Sequence, residues 1–314
     1  MTRSASVQLP QTPPTDESRC GVVALLGAPN AGKSTLLNKL VGAKVSIVTH
    51  KVQTTRTRLR GVAIDGTAQI VLVDTPGIFS NMKRRFERAM VRAAWESADD
   101  ADAVVFVYDA AKRKVDAETD SLMARLKGGN PRCYLVLNKI DRIPRERLLA
   151  LAAHFDAAGV FEAIFMVSAN TGDGVQDLKH TLAHRMPTGT WLYPEEQLSD
   201  LSLRLMAAEL TREKLYLNLH DELPYSLTVD AEEWHEFDDG SVRIGQVVQV
   251  EREGQKKIVV GRNGETIRKV REQTQAELRK NLERPVHLFL FVKVHENWSE
   301  DPEWYRNMGL EYKT

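Results

Sequence analysis

The sequence predicts an α/β domain, built on a mostly parallel sheet with helices on both faces, followed by a smaller α+β domain. Three observations carry this. Short apolar runs alternate with amphipathic ones through the first 185 residues, the pattern of repeated β-α-β units. The run Arg185–Pro194 (RMPTGTWLYP), with two prolines and a glycine, interrupts the alternation. Beyond it the period changes, and a long amphipathic stretch leads into strand-like sequence. The boundaries that follow are a polar tail at 1–19, a first domain at 20–185, a linker at 186–198 and a second domain with its C-terminal tail at 199–314.

Taken in order, the first strand is the continuous apolar run Gly21–Leu26, which suits a strand buried on both faces. A Gly-rich turn and a helix over Lys33–Leu40 follow. Val62–Ile64 and Ile70–Val73 read as a strand pair, with Asp65-Gly66 as the hairpin turn. Further strands are expected at Ala103–Tyr108, Cys133–Leu137 and Ala163–Val167. Helices are expected at Phe86–Trp95, Val115–Leu126, Arg145–Ala157 and Val175–His184. In the second domain a helix is predicted over Ser199–Leu219 and strands at Tyr225–Trp234, Ser241–Glu251 and Lys256–Val260. A helix at Glu265–Asn281 and a strand at Val286–Val294 complete it.

Composition limits the function classes. With 314 residues, 42% hydrophobic and 27% charged, the chain has the balance of about two globular domains. Its 43 basic and 43 acidic residues cancel, so any nucleic-acid-binding surface must be local. Cys20 and Cys133 lie in separate apolar runs and read as small buried hydrophobes of a reducing cytoplasm. No run approaches a membrane span, and the N-terminal tail, rich in Pro, Ser and Thr, reads as disordered without the apolar middle of a secretory signal.

Five segments carry chemistry. Gly27-Ala28-Pro29-Asn30-Ala31-Gly32-Lys33-Ser34, followed by Thr35, fits G-x-x-x-x-G-K-[ST] between a strand and a helix. Such a loop wraps phosphates with backbone N–H groups and the helix N-terminus. Its lysine reaches the β- and γ-phosphates, and its serine offers a hydroxyl to Mg²⁺. Asp74-Thr75-Pro76-Gly77, with Ile78 next, places a carboxylate for Mg²⁺ and an N–H for a γ-phosphate at the end of a strand. Asn138-Lys139-Ile140-Asp141 selects guanine, because a carboxylate accepts both N1–H and N2–H₂, a donor pair that adenine lacks. Ser168-Ala169-Asn170 could supply an N–H to guanine O6. Within Val52-Gln53-Thr54-Thr55-Arg56 one threonine should complete the Mg²⁺ shell; Thr55 is preferred, with Thr54 as the alternative.

In the second domain, Gly261-Arg262-Asn263-Gly264 has the G-x-x-G form of a KH loop, which clamps a short run of nucleotide backbone. Lys256, Lys257, Arg262, Arg268, Lys269 and Arg271 surround it against Glu265 alone, a local patch able to neutralise phosphates. His180 and His184 are read as surface or helix-end residues, and Trp298–Trp304 as packing onto the second domain's sheet. The rival readings are a switch with a protein or membrane effector and a small-molecule P-loop kinase. The basic flanks of the G-x-x-G loop speak against the first rival and the Asn138–Asp141 run against the second.

This motif set resembles the translation-factor class of regulatory GTPases, near the TrmE/Era/EngA/septin group. Together with Tyr193–Leu198, Asp221–Ser226 and Val292–Trp298, it is similar to the Era-type GTPases from about Gly21 to the end. The resemblance implies a GTP- and Mg²⁺-dependent GTPase with a bacterial, type II KH domain. It also implies K⁺-stimulated hydrolysis, with Asn30 as the K⁺-holding residue, since Ile78 stands where Ras-type proteins carry a water-orienting glutamine. Its catalytic group is then Asn30, Lys33, Thr55, Asp74 and Gly77, with Ser34, Thr55 and Asp74 on the metal. Its RNA-binding group is Lys256, Lys257, Gly261, Arg262, Asn263, Gly264, Arg268 and Lys269. The implied partners are 16S rRNA near its 3′ end and the 30S subunit. The implied location is the cytoplasm, as a monomer with loose attachment to the inner membrane.

Overall fold

In the computed structural model the apolar runs of the first domain become one sheet, made of β1 (Arg19–Leu26), β2 (Leu59–Asp65), β3 (Ala68–Asp74), β4 (Ala103–Asp109), β5 (Arg132–Asn138) and β6 (Ala163–Val167). The residues described are 17–49, 51, 54–55, 58–79, 82, 85–129, 132–220, 223–296, 298–307 and 310–312. The strand order is β2-β3-β1-β4-β5-β6. Only the β2–β3 hairpin is antiparallel. Helices α1 (Lys33–Val41) and α5 (Val175–Arg185) cover one face; α2 (Arg85–Asp99), α3 (Ala117–Lys127) and α4 (Arg145–Ala157) cover the other. Alternation along β1 shows why both faces must be apolar. Val23 and Leu25 join the core under α1 and α5, while Ala24 and Leu26 join the core under α2, α3 and α4.

The second domain places α6 (Leu203–Asn218), α7 (Glu253–Val260) and α8 (Glu265–Leu282) against a three-stranded sheet. Its strands are β7 (Leu227–Glu236), β8 (Val242–Val250) and β9 (Val286–Val294), in that order. β7 and β8 are antiparallel, β8 and β9 parallel. Ala207 and Leu210 of α6 and Leu278 of α8 pack on Ile244 and Leu288 of the sheet.

Several expectations are corrected. Lys256–Val260, predicted as a strand from its Ile-Val-Val run, lies in helix α7. The Gln255 side chain accepts from the Glu251 and Arg252 N–H groups at 2.9 and 3.1 Å and caps the helix start. Only one side of the run is buried, Val259 being fully enclosed and Ile258 59% exposed, which suits a helix face rather than a strand. The helix predicted from Ser199 starts at Leu203, with the Ser202 side chain accepting from Leu205 N–H. Ser199 and Asp200 instead pair with the free edge of β2, where Asp200 N–H donates to Arg60 O at 3.2 Å.

The linker is pinned to the first domain: Gln69 Oε1 accepts from Leu192 and Tyr193 N–H at 2.9 and 3.0 Å. Of the predicted tail, Glu17 to Arg19 are described and Arg19 already belongs to β1, while residues 1–16 lie outside the described residues.

Trp298, expected on the second domain's sheet, packs instead with the first domain's α2. Its indole N–H donates to Ser226 O at 3.3 Å, and its ring joins Tyr305 and Leu310 on Phe86, Ala89 and Met90 of α2. The chain's end, including α9 (Pro302–Asn307), thus closes over a helix of the first domain.

Both cysteines are buried and free. Burial pushes the Cys133 thiol up to about 11, in keeping with a packing role. His180 Nδ1 sits 3.1 Å from Asp65 Oδ2, and His184 Nδ1 donates to His180 O at 2.8 Å. Among the described residues no cluster of three or more His, Cys, Asp or Glu could hold a metal, and no helix is long and apolar enough to cross a membrane.

Candidate guanine-nucleotide site and G-x-x-G loop

The carboxyl ends of β1, β3, β4, β5 and β6 open on one rim, where open α/β sheets take their ligands. The loop after β1 needs its glycines: at Gly32 (φ +100°) a Cβ would stand 2.2 Å from Asn138 Nδ2. Lys33, which opens α1, is buried, and its ammonium donates to Gly27 O and Ala28 O at 3.0 and 3.1 Å. Burial lowers Lys33 to about 8, partly opposed by Asp74.

Asp74 ends β3 and is wholly buried, and burial raises its carboxyl above the usual range. Its Oδ2 accepts from Ser34 Oγ at 2.6 Å, Ser46 Oγ at 2.8 Å and Thr55 Oγ1 at 3.1 Å. Ser34 and Thr55 hydroxyls are 3.0 Å apart. Asp74 Oδ1 is buried without a hydrogen-bond partner. An orphaned carboxylate oxygen beside two converging hydroxyls fits a hard cation with oxygen ligands. Thr54 points elsewhere, its hydroxyl meeting Thr49 Oγ1 at 2.7 Å and Lys51 O at 2.8 Å, so the geometry separates the two threonines. Val52, Gln53 and Arg56 lie outside the described residues.

The segment after Asp74 closes the loop region. Thr75 Oγ1 donates to Leu25 O at 2.6 Å, and Ile78 N–H donates to Gly27 O at 3.1 Å. The Ile78 side chain is buried in the core beneath α2. Gly77 lines the cavity beside Pro29.

At the other end of the cavity, Asn138 ties three loops together. Its Nδ2 donates to Ala31 O at 2.8 Å, and its Oδ1 accepts from Ala169 N–H at 3.0 Å. Lys139, held at φ +66°, donates to Asn30 O at 2.7 Å and Asp109 Oδ2 at 2.6 Å, so its stem walls the cavity. Asp141 Oδ1 accepts from Ser168 Oγ at 2.6 Å, which orients the carboxylate for a base edge. Thr35, Asn170 and Arg142 also line the space. Ile140 packs beside the core under α4. Ala28 lies in the loop whose carbonyl receives Lys33.

Several participants escaped sequence reasoning: Ser46 on Asp74, Asn38 clamping the 45–46 N–H groups at 2.9 Å, Asp109 on Lys139, and Arg212 and Glu213 from the second domain. Arg212 had a signal. It falls four residues after Ala208 and four before Tyr216, a charge on the buried stripe of α6. Ser46 and Asp109 had none.

The G-x-x-G loop sits between α7 and α8, a helix-turn-helix rather than a strand-turn-helix. Gly261 (φ +77°) is required by packing, since a Cβ would stand 2.2 Å from Thr266 Oγ1. Gly264 (φ +75°) faces open space, leaving room for a ligand's backbone. Lys257, Arg262, Asn263, Arg268 and Lys269 are exposed, and Lys256 half-buried. None of the five cations pairs with a carboxylate among the described residues; Arg271 lies 3.7 Å from Glu272.

Two family models match the chain: "50S ribosome-binding GTPase" over residues 22–139 and "KH domain" over residues 222–299. Among curated relatives, GTPase Era of Mesorhizobium japonicum is 56% identical over 302 residues, covering 96% of this chain and 97% of that one. GTPase Era of Brucella suis is 55% identical, with 95% of each covered. Among solved structures, Era in complex with MgGDPNP and nucleotides 1506–1542 of 16S ribosomal RNA superposes with a TM-score of 0.88 at 36% identity, over 93% of this chain and 99% of that one. A variant of Aquifex aeolicus Era bound to GDP·AlF₄⁻ gives 0.87 at the same identity and coverage. With both domains matched in order and nearly end to end, the chain belongs to the Era family of GTPases.

Proposed function

We propose that this GTPase is a nucleotide-controlled RNA clamp that binds the 3′ end of 16S rRNA through its KH domain and assists assembly of the small ribosomal subunit. The observation that carries this reading is the pairing of a guanine-nucleotide cavity with an exposed basic G-x-x-G loop in one chain. Support comes from a relative of the same two-domain form that was crystallised with that RNA segment.

The residues divide the work of hydrolysis. The buried Lys33 ammonium, the Gly77 N–H and the loop backbone receive the phosphates, and the approach of that charge restores Lys33 to its fully protonated form. Ser34, Thr55 and Asp74 hold Mg²⁺, which when bound neutralises charge on the β- and γ-phosphates. Asp141, held by Ser168, reads the base. Asn30, at φ +62° on the tip of the loop, is assigned to a stimulating K⁺. Equal turnover in K⁺ and Na⁺ would remove that assignment.

The same reading makes the protein a cytoplasmic monomer with loose contact to the inner membrane; failure to float with anionic vesicles would discard the membrane contact. The RNA reading is tested by crosslinking in cells and sequencing the bound RNA, with a Gly261→Asp, Gly264→Asp variant alongside. Enrichment of the 16S 3′ end that disappears in the variant is expected. Enrichment no higher than that of the variant would reject it.

A further inference from the structure

We propose that Arg212, a residue of the RNA-binding domain, is a positioning residue for GTP hydrolysis: it holds the Thr54 carbonyl and thereby sets Thr55 against Asp74. Arg212 lies on α6, only 1% exposed. Its Nη2 donates to Thr54 O at 2.5 Å, across 158 residues of sequence. Its Nε and Nη2 also engage the Glu209 carboxylate, and its guanidinium lies over the Tyr216 ring at 5.3 Å. The fork is therefore fixed before it meets the first domain.

The Thr54 carbonyl belongs to the peptide that leads into Thr55. Fixing that peptide fixes where the Thr55 hydroxyl can go, and it goes 3.0 Å from Ser34 Oγ and 3.1 Å from Asp74 Oδ2. Neighbouring contacts hold the rest of the segment to the same helix. Glu213 Oε1 accepts from Val48 N–H at 3.0 Å, its Oε2 accepts from Lys44 at 2.7 Å, and Lys51 Nζ donates to Leu219 O. Lys44 also reaches Glu277 of α8 at 2.6 Å.

A buried arginine on an otherwise packed helix stripe is expensive to desolvate, and hydrophobic residues of similar volume commonly replace such groups without loss of stability. A guanidinium at this place is explained if it serves the segment it touches. The contacts of Arg212 run to Thr54, Glu209 and Tyr216, so it acts on Thr55 through the Thr54 carbonyl. Its role needs the GTPase activity of the chain and no particular RNA.

The test uses the full-length chain in two variants: Arg212→Met with Glu209→Gln, which removes the ion pair as a unit, and Arg212→Lys, which keeps the charge but lacks the fork. Melting temperature, kcat, KM for GTP and the Mg²⁺ concentration giving half-maximal turnover are measured for each. Loss of one charge-assisted hydrogen bond predicts a kcat about 10- to 100-fold lower in the double variant. It also predicts a KM within about 3-fold of the original, because the base and phosphate contacts are untouched, and a raised Mg²⁺ requirement. The Lys variant is expected between the two. A purely structural role would lower the melting temperature and leave kcat and the Mg²⁺ requirement in place. Wild-type kcat and Mg²⁺ dependence in either folded variant would overturn the proposal.

Discussion

At the nucleotide cavity a lysine and an aspartate are enclosed, and burial disfavours the charged form of each. At the Gly261–Gly264 loop Lys257, Arg262, Arg268 and Lys269 stand in solvent, without a carboxylate partner among the described residues. On the proposed function both regions meet phosphates, yet one is enclosed in advance and the other is exposed. Fixed dipoles and buried charges suit a site where charge is rearranged during reaction, because nothing then has to reorganise. Solvated cations on a glycine loop suit a strand held by its backbone through counterion release, with little demand for exact geometry.

The contrast is sharpest at the base. Asp141→Asn exchanges a two-bond acceptor for an amide that can accept only one of the guanine donors. With about 1.5–3 kcal/mol for a hydrogen bond to a charged group, loss of one should lower GTP affinity roughly 10- to 100-fold, and xanthosine triphosphate should become the better substrate. Competitive binding of the two triphosphates measures it; unchanged preference for GTP would mean that the base is not read by Asp141.

Comparable in size is the effect of burial on Lys33. The folded chain holds this proton less tightly, near 8, than the unfolded chain does, near 10.5. Unfolding therefore takes up a proton between those values, and stability of the nucleotide-free protein should rise with pH across that window. The gain is on the order of 3 kcal/mol, with the full penalty present below about pH 8. Urea unfolding at pH 8 and pH 10, compared with Lys33→Met, isolates the contribution. Identical pH slopes in the two proteins would show that the ammonium is not held against its charge.

The smallest effects belong to the loop of the second domain. Replacing Lys257, Arg262 or Arg268 singly by Gln should weaken RNA binding modestly and lower the slope of log affinity against log salt by about 0.7 for each phosphate left without its cation. A titration at several salt concentrations reads this. Weaker binding with no change of slope would point to recognition of shape instead.

What the sequence disclosed follows the range of the interactions. Gly27–Ser34, Asp74–Gly77 and Asn138–Asp141 are runs of neighbouring residues at strand ends, so local pattern sufficed to place them and the sheet that carries them. Ile258-Val259-Val260 misled because β-branched residues favour strands, while the Gln255 cap and one-sided burial of Val259 decide for a helix. The sequence favoured Thr55 over Thr54 but left both open, and what tells them apart in the structure is the hold of Lys51 and Thr49 on the Thr54 hydroxyl. The hold of Arg212 on Thr54 and the seat of Trp298 on α2 join residues far apart in the chain, which no local period encodes.

The seat of Trp298 bears on how the protein is made. Phe86 and Met90 are synthesised more than 200 residues before Trp298, Tyr305 and Leu310, which cover them. At ~5–20 residues per second, this face of α2 is bare for roughly 10–40 s of translation. A GTPase of this build thus leaves the ribosome with an apolar flank that, among the described residues, Trp298, Tyr305 and Leu310 cover, and a chain cut before Trp298 would leave that flank open for the life of the molecule.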